Sequence, residues 1–434
     1  MRRTPLNLAT AQTGPALSNI EQVAFYVSAG VAIPAVSWSA TRGIPLDTSA
    51  NLLWLSQILL ANLAAWFVIA KLRSYSRARV LSYVLPVNSI AFGAVISANA
   101  FLRTSIPWSL LLICAASSLA ISYLVTARIR HANPKMRHFV VPGGNVGRLL
   151  KQAGFLSLGS PRELDDLIER KLISGSIVAD LHHEQGDEWA RLLAKAALRG
   201  VPVYHYRLIE EAITGEVRIS HLRENELGSL IPNIPYRMAK RVIDVASVIA
   251  LAPFLLPALS LIALLVKLDG RGPILFYQKR LGHRGEYFKM VKFRTMHERS
   301  VEDSDDARRL DAVTRDGDDR ITRVGRFLRK TRLDELPQAW NILKGEMSWI
   351  GPRPEASELA NWYEDQIPFY AYRHIVRPGI TGWAQVNQGH VADVDEVRAK
   401  LRFDFYYIKN LSLWLDLLIA LKTIRVVLGG IGAK

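Results

Sequence analysis

Four long apolar runs fill the first third of the chain and are separated by short polar segments. They cover about 22–41, 52–70, 80–102 and 106–126. Each run is near the roughly 20 residues that a helix needs to cross a bilayer, and charges are nearly absent within all four. The tryptophans near their ends, typical of membrane interfaces, are Trp38, Trp54, Trp66 and Trp108. We therefore predict four transmembrane helices in a domain spanning 1–130, with a soluble helical bundle as the alternative.

The loops between these runs differ in positive charge. The 71–79 loop holds four lysines or arginines and 127–137 is also basic, whereas the opposite loops carry only Arg42 and Arg103. Positively charged loops stay in the cytoplasm. The N-terminus, the 71–79 loop and everything after 127 are therefore expected to be cytoplasmic.

Between 135 and 232 the composition becomes that of a soluble domain. Strand-like stretches, "RHFVVPGG", "SGSIVADL" and "VPVYHY", alternate with the helix-like "PRELDDLIERK" and "EWARLLAKAALRG", the latter closed by Gly200. This alternation predicts parallel βαβ units and a Rossmann-like α/β domain.

Two motifs in this domain are candidate ligand sites. The turn "GGNVGR" resembles a dinucleotide fingerprint but offers no clean G-x-G-x-x-G, so a tight strand-to-helix turn is favoured. "LHHEQGDE" holds His182, His183 and Glu184. Because adjacent residues on one loop rarely converge on one metal ion, a solvated loop is the favoured interpretation.

A fifth apolar run, 242–266, is interrupted by Pro253 and Pro257 and has Asp244 near its start. Proline kinks a helix, and both flanks of the run are basic. The basic flanking residues include Lys240, Arg241, Lys267 and Arg271. Since positive charge at both ends favours the cytoplasm for both, we predict a re-entrant helix over 240–267, with a full fifth span as the alternative.

The C-terminal stretch "FYYIKNLSLWLDLLIALKTIRVVLGG" mixes apolar residues with charges. Its four charged residues are Lys409, Asp416, Lys422 and Arg425. These charges make a membrane span unfavourable, and the pattern predicts an interfacial amphipathic helix.

Charge indicates an anionic partner. The formal charge of +16 and pI near 9.9 fit nucleic acid, an acidic membrane surface or phosphorylated substrates. The sequence shows no helix-turn-helix or RNA-binding signature, so we expect no nucleic-acid partner. A single cysteine, Cys114, allows no intrachain disulfide.

The adjacent acids Asp334 and Glu335 stand among many cations. The nearby cations are Arg323, Arg326, Arg329, Lys330, Arg332, Lys344 and Arg353. Thr331 has the spacing of a helix N-cap that would place both acids in a first turn, while Pro337 marks either a kink or a second start. A carboxylate can attack phosphorus and its neighbour can hold Mg²⁺, although such a pair is often only a capping device.

Several stretches together resemble the bacterial sugar transferase family, the polyprenyl-phosphate hexose-1-phosphate transferases. They are "KRVID", "FYQKRLG", "KFRTM", "TRLDELPQAWNILKGEMSWIGPRPE", "RPGITGWAQVN" and "FDFYYIKN". The resemblance covers 236–434 almost continuously, and the N-terminal spans and α/β domain resemble its long-form members. It implies a membrane protein of α plus α/β class, with a membrane-associated catalytic domain.

The resemblance also implies roles for individual residues. Asp334 matches an aspartate that becomes phosphorylated, and Glu335 matches its neighbour, associated with Mg²⁺. The basic residues matched to nucleotide and phosphate binding are Arg329, Arg353, Lys292, Arg294 and Arg377. Lys240, Arg241 and Pro253 match the start and break of the re-entrant helix, and the first two are candidates for holding the lipid phosphate. Ala252 stands where some relatives have serine.

The implied reaction moves a sugar 1-phosphate from a UDP-sugar to undecaprenyl phosphate and releases UMP. The implied setting is the bacterial inner membrane, where lipids contact the protein and a homodimer is possible. The product would initiate exopolysaccharide, capsule or O-antigen synthesis, with the sugar left open. A catalytically inactive scaffold of polysaccharide assembly and a transferase that releases UDP are the alternatives.

Overall fold

The protein is described by a computed structural model. It covers residues 18–46, 49–72, 80–104, 107–132, 138–173, 175–183, 186–218, 234–297, 320–388 and 394–428. The basic loop cations at 73–79, Glu184 and the end of the predicted α/β domain at 219–232 lie outside these ranges. The chain divides into two compact units, 1–214 and 215–434.

Four long helices begin the first unit, where four apolar runs predict them. They are α1 (Asn19–Arg42), α2 (Ser49–Leu72), α3 (Leu81–Leu102) and α4 (Trp108–Ala132). Each is long and apolar enough to cross a membrane. Several buried polar side chains pair between these helices: the Tyr26 hydroxyl donates to Ser122 at 2.9 Å, and the Ser118 hydroxyl lies 2.8 Å from Asn88. Hydrogen bonds of this kind are one way in which helices associate inside a bilayer, where the hydrophobic effect does not drive them together.

The α/β part of this unit contains the predicted parallel sheet. Its strands are β1 (His138–Val140), β2 (Phe155–Ser157), β3 (Ser176–Ala179) and β4 (Val203–His205), in the spatial order β2-β1-β3-β4. The helices are α5 (Pro161–Glu169), α6 (Asp187–Leu198) and α7 (Tyr206–Thr214). The "GGNVGR" stretch is the expected tight turn, with Gly143 and Gly144 at positive φ before a 3-10 helix, Val146–Lys151. Strand β2 was not predicted.

The second unit begins with α8 (Ile234–Leu268), followed by an antiparallel hairpin of β5 (Leu275–Leu281) and β6 (Tyr287–Phe293). Then come α9 (Arg323–Thr331), a 3-10 helix (Leu333–Gln338) and α10 (Ala339–Lys344). The remaining elements are β7 (Ser348–Ile350), α11 (Ser357–Gln366), a 3-10 helix (Tyr370–Ile375), β8 (Gly379–Thr381), α12 (Trp383–Asn387), α13 (Val394–Lys409) and α14 (Leu413–Leu428). Strands β7 and β8 pair in parallel.

Helix α8 packs along its length on this unit. Val248 lies in one buried cluster with the hairpin residue Phe288, and Ile262 lies in another with Phe293. The opposite face is apolar and exposed: Phe254 retains 76% of its surface. Within the part of the chain that the structure describes, α8 is the fifth helix long and apolar enough to cross a membrane.

Two local expectations are wrong. Thr331 does not cap a new helix: it ends α9, and its hydroxyl donates to the Phe327 carbonyl at 2.9 Å. The C-terminal stretch is not one interfacial helix, because Lys409 ends α13 and most of the apolar face of α14 is buried in protein. Leu415, Leu418 and Ile419 in α14 have no exposed surface.

Candidate active site

The acidic pair lies on the 3-10 helix between α9 and α10. Arg332 takes a left-handed conformation, with φ of 59°, and thereby breaks α9 from the next turn. Leu333 and Leu336, three residues apart, then pack together against the apolar cluster beneath the hairpin. A 3-10 helix has three residues per turn, so Asp334 and Glu335 occupy the remaining faces of this turn.

Glu335 is buried and lies beside three cations. Its Oε1 is 2.9 Å from Arg353 Nη2, 3.3 Å from Lys292 Nζ and 3.6 Å from Arg332 Nη1. Burial alone would raise the pKa of Glu335, but the charges of Arg353, Lys292 and Arg332 hold it well below its usual range. The carboxylate is therefore ionised at neutral pH.

Asp334 is nearly as deeply buried, at 7% exposure. Its Oδ1 has no hydrogen-bond partner among the described residues. Burial raises the pKa of Asp334, against the opposing charges of Lys292, Arg353 and Arg329. A buried polar atom without a partner is unusual, which makes this oxygen a candidate ligand for a metal ion or nucleophile toward phosphorus.

Strand β6 presents Lys292 to the acidic pair and is fixed by Asn341 of α10. The Asn341 Oδ1 accepts from the Val291 amide at 3.1 Å, and its Nδ2 donates to the Lys289 carbonyl at 2.8 Å. Burial lowers the pKa of Lys292 to about 8, although Glu335 opposes the change. The fraction of Lys292 side chains that carry a positive charge therefore changes around pH 8.

A buried ionic network behind the site was not predicted from sequence. Arg373 Nη2 lies 2.9 Å from both Asp404 Oδ2 and the Arg353 carbonyl, and its Nη1 is 3.7 Å from Glu355 Oε1. Glu355 also pairs with Lys400. By binding the Arg353 carbonyl, Arg373 orients the arginine that contacts Glu335. The sequence signal for this network is the presence of charged residues, among them Asp404, within the aromatic-rich stretch "KLRFDFYY".

The structure brings together only part of the predicted basic set. Lys292, Arg329 and Arg353 act on Asp334, whereas Arg294 donates to the carbonyls of Val266 and Gly270 at the end of α8.

The residues at the other end of α8 have different partners. Lys240 pairs with Asp416 at 2.6 Å, and Arg241 donates to the Leu343 carbonyl at 2.8 Å. Arg377 donates to the Gly345 carbonyl at 2.8 Å. Arg241 and Arg377 line a cleft of about 1150 Å³, whose lining does not include the acidic pair. The other arginines of this cleft are Arg237 and Arg284.

The donor set fits a hard cation. Two adjacent carboxylates provide the oxygen ligands that Mg²⁺ prefers, and Asp334 Oδ1 has no hydrogen-bond partner among the described residues. The ion pairs between Glu335 and its three neighbouring cations are all made by its Oε1 atom. Asp334 and Glu335 are therefore the residues that would hold the ion.

A buried carboxylate pair lies among lysine and arginine side chains, in the same unit as an apolar helix with one exposed face. The family model described as bacterial sugar transferase matches residues 235–430. A UDP-N-acetylgalactosamine-undecaprenyl-phosphate N-acetylgalactosaminephosphotransferase of Aeromonas hydrophila is 40% identical over 86% of this chain and 86% of its own length. The chain belongs to the bacterial sugar transferase family and is an enzyme, a phosphoglycosyl transferase.

Other relatives match a smaller share of the chain. A UDP-glucose:undecaprenyl-phosphate glucose-1-phosphate transferase of Caulobacter vibrioides is 44% identical over 45% of this chain and 72% of its own length. The protein of the same name from Escherichia coli is 35% identical over 59% of this chain and 53% of its own length.

Proposed function

We propose that the protein transfers a sugar 1-phosphate from a UDP-sugar to undecaprenyl phosphate and releases UMP, with Asp334 as nucleophile. The observation that carries this proposal is the buried Asp334, whose Oδ1 has no hydrogen-bond partner among the described residues and which is acted on by three cations. The names of the relatives support the donor and acceptor.

In the first step an Asp334 carboxylate oxygen attacks the β-phosphorus of the donor. The bond from that phosphorus to the bridging oxygen breaks, and UMP leaves with the bridging oxygen and its electron pair. The product is an acyl phosphate of Asp334 that carries the sugar. Lys292, Arg329 and Arg353 neutralise the charge that develops on the phosphoryl oxygens.

In the second step a phosphate oxygen of undecaprenyl phosphate attacks the same phosphorus. The bond to the Asp334 oxygen breaks, which restores the carboxylate and forms the lipid diphosphate sugar. Glu335 keeps Arg353 and Lys292 aligned through both steps. Mg²⁺ held by the two acids would supply further charge neutralisation on the diphosphate.

We propose that α8 enters and leaves the same leaflet of the inner membrane, with the active site on the cytoplasmic side. Contacts at both of its ends with the same unit support this proposal: Lys240 pairs with Asp416 and Arg294 binds the Val266 carbonyl. Its exposed face, with Pro253 and Pro257 inside the helix, would then lie in lipid. The acceptor chain and its phosphate occupy the same interface.

The first donor to test is UDP-N-acetylgalactosamine. The Aeromonas hydrophila relative, which acts on that donor by name, matches the N-terminal part of the chain as well as the catalytic part. UDP-glucose is the next donor to test, because two relatives that match a smaller share of the chain are named for it. The homodimer, the polysaccharide served and the phosphate-binding role of Lys240 and Arg241 stay predictions.

The test is nucleotide release by purified protein with undecaprenyl phosphate, Mg²⁺ and each UDP-sugar. We expect repeated release of UMP only when both the UDP-sugar and undecaprenyl phosphate are present. This release should be lost in Asp334→Asn and reduced in Glu335→Gln. Lys289→Arg, at an exposed position of β6, is the matched control and should keep wild-type activity. Release of UDP instead of UMP would contradict the proposed bond cleavage.

A further inference from the structure

The α/β domain has a side-chain cluster that the transferase reaction does not use. Asp180 follows the end of β3, His182 lies two residues further, and His205 is the last residue of β4. The ligand atoms of these three side chains all lie within 4.8 Å of one another. The "LHHEQGDE" loop therefore supplies only His182 to this cluster. Asp180 precedes the loop, and His205 comes from a different strand.

The two imidazoles already face each other. His182 Nδ1 and His205 Nε2 form a hydrogen bond of 2.9 Å, which a shared ion would replace. The other nitrogen of His205, Nδ1, lies 3.3 Å from the Ala179 carbonyl. A hydrogen bond from one ring nitrogen to a carbonyl fixes the tautomer and directs the lone pair of the other nitrogen to a metal. The Ala179 carbonyl thus turns Nε2 of His205 toward His182.

The carboxylate is held in place by the backbone. Asp180 is 5% exposed, and its Oδ2 accepts from the Asn145 amide at 3.0 Å while its Oδ1 lies 3.3 Å from the His182 amide. Gly144 permits this approach, because a Cβ at that position would come within 2.3 Å of Asp180 Oδ2. The turn after β1 is therefore shaped around the Asp180 carboxylate.

The cluster also lies where an open α/β sheet binds ligands. In the order β2-β1-β3-β4, the chain runs from β1 to β2 at one edge of the sheet, then returns to β3 on the other side of β1 and continues to β4. The direction of the connections therefore reverses between β1 and β3. Ligands of such sheets bind outside the carboxyl ends of the strands at this switch point. Asp180 and the Gly143–Gly144 turn come from the carboxyl ends of the two strands that border it.

We propose that Asp180, His182 and His205 bind one divalent transition-metal ion of the Zn²⁺ class. Two imidazoles and one carboxylate favour such ions over Mg²⁺. Three protein ligands leave a coordination position open toward the switch point, where water or an anionic oxygen would bind. This site is separate from the Asp334 centre in sequence and in donor chemistry.

The test uses untagged full-length protein in detergent, stripped with a chelator and titrated with Zn²⁺ by calorimetry and with Co²⁺ by visible absorption. One equivalent of each metal should bind, and Mg²⁺ should not compete. His182→Ala and His205→Ala should each weaken binding at least about 100-fold, because even second-shell partners of metal ligands are worth roughly 10–100-fold. His183→Ala, at the exposed neighbouring position, is the matched control and should bind as wild type.

Hydrogen exchange of β3 and β4 in each variant reports whether the sheet is intact. If His205→Ala disturbs the sheet, His182→Ala decides, because His182 lies on an exposed loop and not in a strand. A wild type that binds no Zn²⁺ overturns the proposal. Equal binding by His182→Ala and wild type, with the sheet intact in both, overturns it as well.

Discussion

The pH dependence of Lys292 provides a quantitative test of the charge arrangement. The ordinary lysine pKa of 10.5 and the value of about 8 in this site differ by an amount equivalent to about 3 kcal/mol, at about 1.36 kcal/mol per pH unit. Burial is the main cause and Glu335, 3.3 Å away, opposes it. The positive charge that we propose assists phosphoryl transfer should therefore be lost just above neutral pH.

The assay is kcat/KM for the UDP-sugar between pH 6 and 10, which reports the ionisations of the free enzyme. We expect kcat/KM to be about tenfold lower at pH 9 than at pH 7, because one unit above its pKa only about one amine in ten stays protonated. In Lys292→Arg the guanidinium stays charged, so the alkaline decline should move to higher pH. Lys289→Arg, on the exposed face of β6, should retain the decline near pH 8.

Stability should respond with the opposite sign. Folding lowers the pKa of Lys292, so the unfolded chain binds more protons between about pH 8 and 10.5. Stability from this group therefore rises with pH in that window, while activity falls. A kcat/KM that is flat to pH 9.5, or a Lys292→Arg enzyme with an unchanged decline, would refute the assignment of the ionisation to Lys292.

Two further predictions concern the support of the site. Arg373→Met should destabilise the catalytic unit by about 3–5 kcal/mol, because it leaves the buried Asp404 without its arginine. The control Arg398→Met removes an exposed ion pair with Asp395 and should lower the free energy of unfolding by at most about 1 kcal/mol. Equal thermal shifts of the two variants would contradict this. Gly325→Ala should destabilise by about 1–3 kcal/mol, since its Cβ would lie 2.2 Å from the Thr295 carbonyl oxygen, and an unchanged melting temperature would be inconsistent with that packing.

The periodicity of the sequence predicts the larger elements well. The four N-terminal helices follow from apolar runs, and the parallel sheet follows from alternating strand and helix patterns. Strand β2, Phe155–Ser157, lacks the β-branched valine or isoleucine that marks each of the other three strands. The acidic pair and its nearest cations were predicted from joined motifs rather than from any single residue.

The remaining site features depend on tertiary structure. Arg294 is two residues from Lys292, which predicts a shared face on one strand, but β6 ends at Phe293 and Arg294 turns to the carbonyls that end α8. Arg373 and Asp404 meet only through folding, across 31 positions of sequence, as do His182 and His205 across 23. No local pattern encodes such pairs.

The most direct test of the central claim is to trap the first step. Purified enzyme is incubated with Mg²⁺ and UDP-N-acetylgalactosamine, or another active donor, without undecaprenyl phosphate, and its mass is measured before and after the acceptor is added. The account predicts one sugar phosphate bound at Asp334, an equivalent amount of UMP, and loss of the adduct when acceptor arrives; Asp334→Asn should form none. An active enzyme that forms no adduct and releases UMP only when acceptor is present, or an adduct on another residue, would contradict it.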